Sequence, residues 1–80
     1  MNERNANIAD VTIHIHEVID TDRRTRLQYS LLALDGVHNV SDPNDKAHLV
    51  VVRFNPEKLV SRDILDAVLG TGLKAEMIGL

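Results

Sequence analysis

The spacing of apolar residues switches along this chain between two and about 3.6, and that switching constrains the fold more than any other feature. Val11, Ile13 and Ile15 alternate with Thr12, His14 and His16, the pattern of a half-buried strand. Val18 and Ile19 carry apolar character into a turn, where Asp20, Thr21 and Asp22 can each cap a helix. Leu27, Leu31 and Leu34 then recur at helical spacing with Leu32 beside them, and Gly36 stands where such a helix stops. Val37 and Val40 begin a short second strand, Ser41-Asp42-Pro43-Asn44-Asp45 is a dense turn signal, and Leu49 to Phe54 is the strongest strand. Asn55-Pro56 ends it. Ser61 reads as the N-cap of a second helix, with Asp63 in its first turn and Ile64, Leu65, Ala67, Val68 and Leu69 as its apolar stripe. Gly70 and Gly72 end that helix, and Leu73 to Ile78 form a last short strand.

The order strand, helix, strand, strand, helix, strand predicts an α+β protein. Right-handed crossovers turn it into a ferredoxin-like βαββαβ sandwich, a four-stranded antiparallel sheet with both helices on one face. Residues 1–9 read as a flexible N-terminal tail and residues 10–80 as one domain.

Composition narrows the function. The chain has 80 residues and no cysteine, so neither a disulfide nor a thiolate metal site can support so small a core. Tyr29 and Phe54 are the only aromatics, too few for a base-stacking surface, and a net charge of −3 opposes a phosphate-backbone partner. No apolar run approaches the roughly 18 residues of a membrane span, and Met1 to Asn5 do not open a signal peptide. The expectation is a cytoplasmic protein with neither nucleic acid nor membrane as partner.

Four short pieces carry a resemblance. They are Leu31-x-x-Leu34-Asp35-Gly36-Val37, Val52-x-Phe54-Asn55-Pro56, Val60-Ser61, and Ile64-x-x-Ala67-Val68-x-x-x-Gly72-Leu73. In this order and spacing the chain resembles the heavy-metal-associated (HMA) domain family, the copper-chaperone type, over roughly residues 11 to 78. The resemblance implies the βαββαβ fold and a metal-transport context. It implies a metal held on two cysteines of a CxxC motif in the loop before the first helix. Counting back from Gly36-Val37 puts those cysteines at Asp20 and Arg23, the family's loop methionine at Val18 and its loop glycine at Glu17. None of the family's metal-binding residues is present. Cu(I) prefers thiolate or thioether, and the only sulfurs here are Met1 and Met77.

Three constellations remain. His14-Ile15-His16 places two imidazoles on one strand face, away from the helices if Ile13 and Ile15 face them. They can begin a Zn(II), Ni(II) or Cu(II) site, with Glu76 on the expected neighbouring strand as third ligand; the plainer reading is a solvated strand face. Binding through them is expected to weaken below about pH 6, as protons compete for imidazole. His38 and His48 read as ordinary turn or edge residues. Next, Arg23, Arg24 and Arg26 sit in a first helical turn, where cations oppose the dipole. They suit an acidic partner or an anion, against surface charge paired with Glu17 or Asp22. A hard cation on Asp20 and Asp22 lacks enough oxygen ligands. Last, Leu49, Val51 and Arg53 face outward beside the histidines and Ile78, an apolar strip of the kind that binds partners. The strand from Val37 to Ser41 is an expected edge, open to another chain.

No nucleophile motif, phosphate loop or carboxylate pair supports catalysis. The leading expectation is therefore a non-catalytic HMA-like module that has lost the thiolate site. It acts through protein contact or self-association, using Arg23, Arg24, Arg26, Leu49, Val51 and Arg53. The alternative is a divalent transition-metal binding or transport protein using His14 and His16. A third reading, a small-ligand sensor, requires a dimer to enclose a pocket.

Overall fold

A computed structural model describes residues 8–42 and 48–78. Most of the expected tail, residues 1–7, and the Pro43-Asn44-Asp45 part of the expected turn lie outside these residues. Six elements follow in order: β1 (Ala9–Ile15), α1 (Thr21–Leu32), β2 (Val37–Ser41), β3 (Leu49–Phe54), α2 (Ser61–Gly70) and β4 (Ala75–Met77). The sheet order is β2-β3-β1-β4, and each neighbouring pair is antiparallel. This is the ferredoxin-like βαββαβ sandwich.

Alternation decides which face of the sheet is buried. Val11, Ile13 and Ile15 of β1 and Val50, Val52 and Phe54 of β3 point inward. Leu27 and Leu31 of α1 meet them, with Ile64, Leu65 and Val68 of α2 and the flanking Ile19 and Leu73. No polar side chain is buried among the described residues, so the core is held by apolar packing alone. The register pairs Val11 with Val52 and Ile13 with Val50, placing inward residues directly opposite one another. It equally places Thr12 opposite Val51 and His14 opposite Leu49 on the outer face.

The element ends show why the chain breaks where it does. Asp20 is the N-cap of α1, its carboxylate accepting the Arg23 N–H at 2.8 Å. Helix α1 stops at Leu32, so Leu34 lies in the following turn, where it is partly buried against the core. Gly36 has φ +110°, and its carbonyl accepts the Asn55 N–H at 2.7 Å, tying the helix stop to the exit from β3.

Three further ends differ from the sequence reading. β1 begins at Ala9, the last residue of the expected tail, because Ala9 pairs with Phe54. Val60, not Ser61, is the N-cap of α2; the Asp63 carboxylate accepts the Val60 N–H at 2.9 Å, so the helix is capped from its third residue. β3 begins at Leu49 as read, with His48 in the preceding turn. β4 spans only Ala75–Met77, narrower than Leu73 to Ile78, since Leu73 leaves the sheet to join the core.

A candidate metal site on the open sheet face

Both helices lie on one side, so the other face of the sheet is open. His14 stands on it from β1, and Glu76 stands directly opposite on β4. His16 follows the end of β1, and its N–H donates to the Lys74 carbonyl at 2.7 Å, which keeps it beside β4. The backbone on the other side is fixed as well, the Ile15 N–H donating to the His48 carbonyl at 2.7 Å.

These constraints bring three ligand-type side chains together. His16 Nε2 lies 3.4 Å from Glu76 Oε2, and His14 Nδ1 lies 3.9 Å from the same oxygen. The two imidazole centres are 4.7 Å apart and the rings meet edge to face at 68°. One ligand atom from each of the three falls within 4.8 Å of the others. A tetrahedral ion with bonds of about 2.0–2.1 Å spaces its ligand atoms about 3.4 Å apart. The contacts to Glu76 already approach that spacing. The three side chains are 38–62% exposed, so an ion has free access.

The first loop is a poor metal site. Asp20 is committed to its capping bond, and the Arg23 guanidinium lies 3.6 Å from a Glu17 carboxylate oxygen. A cation and a capping carboxylate occupy the two positions aligned with the family's cysteines, so a soft metal finds no donor there.

The other candidate residues form two separate surfaces. On α1, Arg23 pairs with Glu17 and Arg24 pairs with Asp42, so part of the expected positive patch is neutralised internally. Arg23 and Arg26 line a cleft of about 330 Å³ with Leu27, Ser30, Thr71 and Leu73. On the outer sheet face, Leu49 and Val51 are half-buried and Arg53 is exposed opposite Asp10. Ile78 is 41% exposed just past β4. His38 is exposed on β2, in a register irregularity between Val37 and Asn39. His48, read from the sequence as an ordinary edge residue, has its ring centre 6.4 Å from that of His14. The cue that was available is its position one residue before Leu49, the partner of His14.

At the sequence level no family model and no curated protein matches the chain. Solved structures do, and they define the class as the fold of HMA copper-binding domains. A copper-binding domain from HMA7, a P-type ATPase, superimposes with a TM-score of 0.76 at 17% identity, covering 88% of this chain and 93% of that one. Oxidised MerP from Ralstonia metallidurans CH34 gives 0.77 at 17% identity, covering 90% and 99%. At such identity the likeness is one of fold, and this chain departs from a CxxC site by having no cysteine at all.

Proposed function

We propose that this chain is a non-catalytic HMA-like binding module that takes a divalent transition metal on imidazole and carboxylate rather than on thiolate. The observation that carries the reading is the convergence of His14, His16 and Glu76 on the open face, with ligand atoms within 4.8 Å of one another. The donor set selects Zn(II), Cu(II) or Ni(II) over Cu(I). The copper-binding domain of the similar ATPase makes a metal-handling role the natural setting for this fold. The exposure of all three side chains suits an ion that is taken up and passed on, as metal transport requires.

A two-dimensional amide NMR titration of the labelled protein with Zn(II), Cu(II) and Ni(II) tests it. Saturable shifts centred on His14, His16 and Glu76 at micromolar metal are expected, and the His14→Ala/His16→Ala variant should lose them. Unchanged affinity in that double variant rules the site out.

One observation favours a second reading, contact with a protein partner or a second copy through the same face. Leu49, Val51 and Ile78 border the cluster, and the two helices leave this face uncovered. The β2 edge is less suited to strand addition, because its irregularity at Val37/Asn39 disrupts the ladder. Val51→Glu should abolish any self-association seen by sedimentation; a self-associating protein unaffected by it excludes this face.

A further inference from the structure

We infer that His48 is a fourth ligand of the same site, making it a three-imidazole, one-carboxylate site for a tetrahedral divalent ion, Zn(II) before the others. This rests on the metal reading proposed above.

Geometry comes first. Two imidazoles on one tetrahedral Zn(II), with bonds of about 2.0–2.1 Å, place their ring centres about 5 Å apart. His14 and His16 meet that spacing at 4.7 Å. His14 and His48 stand at 6.4 Å, already within about 1.5 Å of it. His48 stands outside the set of ligand atoms within 4.8 Å of one another, so its exposed ring has to turn toward His14 to join them.

The backbone is in place without any metal. The His48 carbonyl accepts the Ile15 N–H at 2.7 Å, which pins His48 to the end of the β1–β3 ladder. Continued alternation would aim a residue opposite Ile15 into the core, because Ile15 is fully buried. His48 does not follow it: the chain leaves the ladder there, and the ring lies exposed near His14. The cluster is thus bracketed, with Glu76 on the β4 side of β1 and His48 on the β3 side.

Coordination chemistry supplies the rest. His14, His16 and Glu76 alone leave a tetrahedral ion with one open position, filled by water. A fourth protein ligand takes the place of that water, so the ion is carried on protein donors alone rather than used in a reaction. Three neutral imidazoles and one carboxylate leave a divalent ion with a residual charge of about +1, tolerable on an exposed face.

The test is a calorimetric Zn(II) titration of the full chain and of two variants, His48→Ala and His14→Ala/His16→Ala. Cu(II) electron paramagnetic resonance counts the bound nitrogens, and amide spectra confirm that both variants fold. His48→Ala is expected to weaken Zn(II) about tenfold or more and to remove one nitrogen from the Cu(II) spectrum. If His48→Ala binds like the parent chain while the double variant does not, the three-ligand site stands and the fourth-ligand inference falls. If the parent chain binds none of Zn(II), Cu(II) and Ni(II) below millimolar, both fall together.

Discussion

At the scale of single residues, two glycines that look alike in the sequence do opposite work. Gly36 has φ +110°, and a Cβ there would stand 2.9 Å from the Lys58 Cβ and 3.3 Å from the Leu59 side chain. Gly36→Ala therefore meets both backbone strain and a clash, and should cost more than about 1 kcal/mol by denaturant unfolding. Gly70 ends α2 with no positive φ, and a methyl group added there would meet nothing within 4 Å. Gly70→Ala should instead stabilise by about 0.4–1 kcal/mol, since it removes freedom only from the unfolded chain. A stabilising Gly36→Ala, or a destabilising Gly70→Ala, would contradict this account of the helix stops. Gly36 could be singled out in the sequence from the helical stripe before it and Val37 after it. The neighbours that crowd it, Lys58 and Leu59, arrive from the turn after β3 and were not visible there.

At the scale of elements, capping is where prediction and structure meet most closely and also where they part. Asp20 caps α1 as its residue type suggests, so Asp20→Ala should lower stability by about 1 kcal/mol, measurable by urea unfolding. A variant as stable as the parent would show that the α1 end is held by packing alone. At α2 the choice of Ser61 missed by one residue, because the carboxylate of Asp63 reaches back to the Val60 N–H and makes a side-chain oxygen at the N-cap unnecessary. The pairing of Glu76 with His14 was foreseeable, since β1 and β4 must neighbour each other in this topology. The pairing of Arg24 with Asp42 was not, because it joins the start of α1 to the end of β2 across 18 positions.

At the scale of the whole molecule, the proposed metal ligands lie on one face of the sheet and the core on the other, so the ligands can be changed without touching the core. His14→Ala/His16→Ala removes only exposed or half-buried groups and should change metal-free stability by no more than about 0.5 kcal/mol. Metal binding should couple strongly to folding, because the unfolded chain does not hold the three ligands together. Zn(II) at one hundred times its dissociation constant should add about 2.7 kcal/mol, a rise in Tm of roughly 10–20 °C for a domain of this size. Thermal unfolding with and without Zn(II) checks this, and the double-histidine variant should show no rise. Among the described residues no helix is long and apolar enough to cross a membrane.

Local pattern was enough to read the order of elements, the inward faces of β1 and β3, and the absence of a thiolate site. Each of these follows from periodicity or from residue type, which need no knowledge of what lies across the fold. The gathering of His14, His16 and Glu76 was half legible, because strand alternation sets the first two and topology supplies the third. Contacts across the fold were needed for the rest: Asp42 pairs with Arg24, the β2 edge carries an irregularity, and the His48 ring lies near His14. Those outcomes depend on side chains distant in sequence meeting in space, and on where a ladder ends, which apolar spacing does not encode.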